Sequence, residues 1–249
     1  MKLQDKFNKA LEQFVERHKK NKNVVGIFLT GSFVHSKPDK NSDLDVWVVL
    51  KNSKIRERGN TWINGVEVEY FMNPVKQVKV YFKEEAGEGG PHTAHMFANS
   101  KILFKRGNEL DKLIKEAKKM MNKKRDKMKK IEKELARYGI DDIEKDLEDA
   151  YLNKDDFVFN QVALKALNNS LDIFLKITRT YEEKHKRLLP YLQKRDGKFA
   201  NLYKNALLET NRKKKYVCLR KLIGYVEDKI DGKRPKEWKL RSKCTFLKE

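Results

Sequence analysis

The chain has 249 residues, 39% hydrophobic and 37% charged, with a formal net charge of +21. That length accommodates one large or two modest domains with real cores, and the absence of a run of about 18 apolar residues argues against a membrane span. Cys218 and Cys244 show neither CxxC nor zinc-ligand spacing, and the first residues lack a signal-peptide apolar region, so a reduced, cytoplasmic protein with free thiols is expected.

The basic surplus lies mostly after residue 110. Such a balance favours nucleotides, nucleic acid or acidic surfaces as partners. The lysines are nevertheless mixed with Asp and Glu throughout, as on solvated helix faces. No aromatic–basic pattern of an RNA-recognition sheet is present.

Residues 2–20 predict an amphipathic helix, with Leu3, Phe7, Ala10, Leu11, Phe14 and Val15 at helical spacing. Residues 24–30 are apolar and partly β-branched, which predicts a buried strand. Gly31-Ser32 ends it: glycine lets backbone approach a phosphate closely, and serine adds a hydroxyl. Ten residues later comes Asp43-Leu44-Asp45, heading a second apolar run to residue 50. In a strand, Asp43 and Asp45 project to the same face with α-carbons about 6–7 Å apart. They can share a hard cation such as Mg2+ or Mn2+; the alternative is two solvated acids on an edge strand.

Lys51 to Asn60 predict a charged turn or the end of a hairpin, and Asn64-Gly65 is a strong hairpin-turn dipeptide. After it, Val66, Val68 and Tyr70 share one face, and Glu67, Glu69 and Phe71 the other. The two glutamates form either the polar side of a half-exposed strand or the source of a third ligating carboxylate. Asn73-Pro74 predicts a helix start, with Pro at the first helical position. Gly87 to Pro91 is a loop without dinucleotide-site spacing. Residues 92–99 predict a short helix whose His92 and His95 are more readily solvated than metal-bound.

From Glu109 onward the pattern is helical. Helices are expected over 110–135, broken by Gly139; after 141, with Asp141-Asp142 as cap; over 157–181, the centre of a bundle; over 199–208; and over 216–230. Pro190 is read as a turn, and residues 231–249 as a tail. The expected class is α+β: a mixed-sheet domain with helices over 1–108, then a helical bundle over 109–249.

The stretch Thr30-Gly31-Ser32, ten residues, Asp43-Leu44-Asp45 between apolar strands resembles the nucleotidyltransferase superfamily related to DNA polymerase beta. The resemblance implies metal-dependent transfer of a nucleoside monophosphate from a nucleoside triphosphate, ATP first, to an acceptor hydroxyl. Gly31 and Ser32 would hold phosphates, and Asp43 and Asp45 would bind Mg2+ or Mn2+. In enzymes of the antibiotic-modifying type the third acid sits in a Val-Glu-Val strand, which makes Glu67 the first choice as metal ligand or base and Glu69 the second. Lys37 and Lys40, in the intervening loop, can offset triphosphate charge or simply be solvated.

A sheet domain followed by a helical bundle also resembles kanamycin-type nucleotidyltransferases, which points to an aminoglycoside-like acceptor. Protein or RNA modification, as in toxin–antitoxin pairs, and nucleotide binding without catalysis are the alternatives. Nucleic acid and a homodimer remain open as partners.

Overall fold

The computed structural model describes residues 2–34, 36–85 and 90–241. The chain divides into two compact units, Met1–Lys123 and Lys124–Glu249. The fold class is α+β, a mixed five-stranded sheet followed by a helical region.

The first unit opens with helix α1 (Leu3–Lys19), then strands β1 (Val24–Thr30), β2 (Leu44–Leu50), β3 (Glu57–Ile63) and β4 (Val66–Pro74). Helices α2 (Val75–Glu85) and α3 (His92–Ala98), strand β5 (Lys101–Lys105) and helix α4 (Glu109–Met121) complete it. The strand order is β3-β4-β2-β1-β5. β2 and β4 run parallel, and every other neighbouring pair is antiparallel.

Strand alternation sorts the side chains into two cores. On one face Ile27, Leu29, Val46, Val48, Val66 and Val68 pack with Phe7, Ala10, Leu11 and Phe14 of α1. On the other, Val25, Phe28, Trp47 and Val49 meet Val78, Phe82 and Phe97 of α2 and α3. Each fully buried Val, Leu, Ile or Phe among them contributes roughly 1.5–3 kcal/mol relative to exposure. Leu110, Leu113 and Ala117 of α4 are buried in this second core. The first unit therefore includes α4, which its sequence pattern places at the head of the helical domain.

Two local expectations differ from the structure, and the hairpin turn between them agrees with its expectation. Residues 57–60 belong to β3, forming a hairpin with β4. Asn64 and Gly65 have φ of 52° and 66°, the positive pair that a two-residue type I′ turn needs. Pro74 ends β4, opposite Leu50, and α2 starts after it. Proline has no N–H to give a ladder, and the end of a strand is where that loss matters least. The glycine loop of 87–89 and Cys244 lie outside the described residues.

The second unit holds helices α5 (Lys130–Leu152), α6 (Asp156–Ile177), α7 (His185–Arg195), α8 (Gly197–Leu208) and α9 (Arg212–Lys229). α6 is central: Phe159, Ala163, Leu167, Leu171 and Phe174 are buried, and Phe174 stacks on Phe199 of α8 at 3.8 Å. Asp155, Asp196 and Asn211 cap α6, α8 and α9 by accepting from backbone N–H groups.

Gly139 does not break a helix. It lies inside α5, and the break falls at 122–129. An interior glycine costs about 1 kcal/mol, and burial of Ile140, Ile143 and Leu147 on the same helix exceeds that. Asp141 is accordingly not a cap. It accepts from Lys145 and Arg234 at 2.7 and 2.5 Å. Pro190 lies within α7; it has no N–H to offer the Lys186 carbonyl one turn earlier, and Lys186 is exposed in the first turn of that helix. Residues 231–241 form no helix or strand but are pinned to α5, with Trp238 donating to Glu134 at 3.0 Å and stacking on Tyr138.

Candidate active site

The site lies where the second face of the sheet ceases to be apolar. Trp47 and Phe71 on this face stack at 5.2 Å, and the Trp47 indole N–H points to Met96 of α3. Two residues before each, on the same face, stand Asp45 and Glu69. β2 and β4 pair in parallel with Asp45 directly beside Glu69, and Asp45 faces Thr30 on β1. One carboxylate oxygen each from Asp43, Asp45 and Glu69 lies within 4.8 Å of the other two, and all three residues are half-buried. Three hard oxygen donors at that spacing fit a divalent cation of the Mg2+ or Mn2+ kind.

Gly31 abuts this cluster. Its φ is +77°, and a Cβ there would collide with the Asp45 carboxylate. The turn after β1 is therefore glycine for two reasons, the left-handed backbone and the closeness of the acid. Ser32 is exposed and opens a short 3-10 turn; its carbonyl accepts from the Ser36 N–H at 3.0 Å and hydroxyl at 2.7 Å. Asp39 shapes the following loop, accepting from the Asn41 N–H at 2.8 Å and the Ser42 hydroxyl at 3.1 Å. Lys37 and Lys40 are both exposed in that loop.

Glu67 is on the same face as Glu69 but is not among the three gathered carboxylates. It stands opposite Trp62 and accepts from Asn60 Nδ2 at 2.6 Å. Two residues that the sequence pattern does not single out touch the acids: Asn60, and Arg58, whose Nε and Nη2 donate to Glu69 Oε1 at 2.9 and 2.6 Å. Both lie on β3, in a stretch whose sequence reads as a charged turn. His92 and His95 are exposed on α3 and join no group of three ligating side chains among the described residues. On the opposite face Tyr70 donates to Glu57 at 2.5 Å. That bond, with burial second, raises its pKa above the ordinary tyrosine value.

Residues 8–157 match the family model described as the nucleotidyltransferase domain, which is more than half of the chain. The chain belongs to the nucleotidyltransferase domain family. This nucleotidyltransferase is also similar to two solved structures. One is a nucleotidyltransferase-like protein from Exiguobacterium sibiricum 255-15, with 12% identity, 89% of this chain and 76% of that chain covered, and a TM-score of 0.49. The other is an aminoglycoside 6-adenyltransferase from Bacillus subtilis, with 8% identity, 91% and 92% covered, and a TM-score of 0.38. Likeness at these levels is distant and says nothing of substrate. No curated protein matches the nucleotidyltransferase. Among its described residues, no helix is long and apolar enough to cross a membrane.

In the second unit, Asp146, Asp149 and Asp155 line an open pocket of about 320 Å³ with Ala150, Asn153, Val158 and Val162. Of the other acids on α5, Glu144 pairs with Arg220 and Lys233 at 3.4 and 3.0 Å.

Proposed function

We propose that this nucleotidyltransferase moves a nucleoside monophosphate from a nucleoside triphosphate, ATP first, to an acceptor hydroxyl in a reaction that depends on Mg2+ or Mn2+. The observation that carries the reading is the group Asp43, Asp45 and Glu69, within 4.8 Å of one another and set against the Gly31 turn. Asp43, Asp45 and Glu69 would hold the metal. When bound, the metal supplies charge neutralisation for the triphosphate and the leaving pyrophosphate. Ser32 and the backbone N–H groups after Gly31 hold the outer phosphates, since a glycine turn allows close approach and its N–H groups favour anions. Lys37 and Lys40 add positive charge from the loop.

The acceptor oxygen attacks the α-phosphorus, a new P–O bond forms, and the bond to the β-phosphate oxygen breaks to release pyrophosphate. Glu67, on the same face and outside the metal group, receives the hydroxyl proton, and the Asn60 amide orients its carboxylate. Positioning and charge complementarity supply most of the acceleration, as in phosphoryl transfers generally.

The acceptor proposed first is a small hydroxyl compound of the aminoglycoside kind, as the sequence resemblance to kanamycin-type nucleotidyltransferases implies. Pyrophosphate release from each of the four ribonucleoside triphosphates, with Mg2+ or Mn2+, tests the reading. The acceptor panel holds aminoglycosides, lincosamides, tRNA and the protein itself, with Asp45→Asn as control. Metal-dependent release lost in Asp45→Asn is expected. Release that persists in Asp45→Asn would remove the mechanism, and a response to tRNA or protein alone would replace the acceptor.

A further inference from the structure

We propose that Arg58 is a positioning residue that presents Glu69 to the divalent cation; the proposal rests on the metal-dependent reading above. Arg58 sends two donors, Nε and Nη2, to the single oxygen Oε1 of Glu69, at 2.9 and 2.6 Å. A carboxylate has two oxygens. Fixing one by a planar fork sets the rotation of the group and leaves the other for the cation. The guanidinium is held in turn by the ring of Phe71, at 4.9 Å from its centroid. Arg58 is the cross-strand partner of Phe71 in the β3–β4 hairpin, and Phe71 stacks on buried Trp47. A continuous set of contacts thus runs from the core, through Phe71 and Arg58, to the acid.

Stability does not account for the pair. The Arg58 side chain is 70% exposed, and ion pairs that open to water contribute little to folding. An arginine beside a cation site is also electrostatically unfavourable to the cation. Its presence there is explained by the orientation it imposes, in the way outer-shell hydrogen bonds orient metal ligands elsewhere.

The two effects have opposite signs, which makes the test sharp. If Arg58 positions Glu69, removing it weakens metal binding; if it contributes only charge, removing it tightens binding. Mn2+ is titrated into the full chain and followed by electron paramagnetic resonance, for the wild type, Arg58→Gln, Arg58→Lys and Asp45→Asn. The expected result is a Mn2+ site lost in Asp45→Asn and weakened roughly 10- to 100-fold in Arg58→Gln. Arg58→Lys, which keeps the charge but not the fork, should fall between Arg58→Gln and wild type. Melting temperatures of the two Arg58 variants should match the wild type.

Unchanged or tighter Mn2+ binding in Arg58→Gln, with the wild-type site intact, would overturn the role of Arg58 and leave the metal-dependent reading standing. A wild-type chain with no Mn2+ site that Asp45→Asn removes would overturn both.

Discussion

Substituting Gly31 tests the link between fold and site most directly. Gly31→Ala carries two separable costs. The backbone there has a φ of +77°, where an L side chain costs about 1–2 kcal/mol. The new methyl group would also enter the space held by the Asp45 carboxylate, so that carboxylate has to move. The first cost falls on stability and predicts a melting temperature lower by roughly 5–10 °C. The second falls on the proposed metal group, because Asp45 is one of its three acids. A displacement of about 1 Å at reacting groups costs on the order of 100-fold in rate. The assay is pyrophosphate release with ATP and Mn2+, run beside thermal melts. Gly224→Ala is the control: it sits inside α9, and nothing lies within 4 Å of the added carbon. That variant should equal the wild type in activity and gain up to about 1 kcal/mol in stability. A Gly31→Ala protein with wild-type melting would refute the strain. One that melts lower but turns over normally would show that the turn does not set the position of Asp45.

The other predictions concern the hairpin and the helical unit. Gly65→Ala, at φ 66° in the β3–β4 turn, should lower stability by about 1 kcal/mol in chemical denaturation. Asp196→Ala removes the cap of α8 and the acceptor of the Tyr225 hydroxyl at 2.6 Å, and should cost about 1–2 kcal/mol. It should also release Tyr225, whose pKa burial and that bond push up to about 12; ultraviolet titration would show the phenol ionising at lower pH. Glu227 is buried in α9, and desolvation first, then Glu144, raises its carboxyl above the ordinary value of 4.5 against the pull of Lys233 and Arg220. A folded pKa above the unfolded one gives stability that is fully present below the unfolded pKa and lost as pH rises through the folded one. Glu227→Gln should therefore raise the melting temperature at pH 7 more than at pH 4; an equal shift at both would refute the assignment.

Strands β1, β2 and β4, the first amphipathic helix and the Gly-Ser turn are legible in local pattern, because alternation and turn chemistry are local. The misread punctuation is local as well. Gly139 and Pro190 signal breaks, yet Ile140, Ile143 and Leu147 are buried on one side of α5, and Leu192 anchors α7. In both helices tertiary burial outweighs a propensity cost of about 1–3 kcal/mol. The α4 placement has the same origin: its lysine-rich face resembles the helices that follow, and only the burial of Leu110, Leu113 and Ala117 against the sheet assigns it to the first unit.

The third acid shows where local reasoning stops. Alternation places Glu67 and Glu69 on one face and cannot choose between them. The choice is made by the parallel register of β2 with β4, which sets Asp45 beside Glu69, and that register depends on chain distant in sequence. Arg58 is different, because its place follows from the hairpin alone. A two-residue turn at Asn64-Gly65 fixes Ile63 opposite Val66, and from there Asn60 opposite Glu69 and Arg58 opposite Phe71. Counting outward from the turn is enough to bring a guanidinium and an amide onto the same face as the two glutamates. The charged stretch that leads into an Asn-Gly turn is thus better read as the partner strand of the acids than as a loop. The Mn2+ titration of Arg58→Gln asks whether that strand serves the proposed metal site as well as the fold.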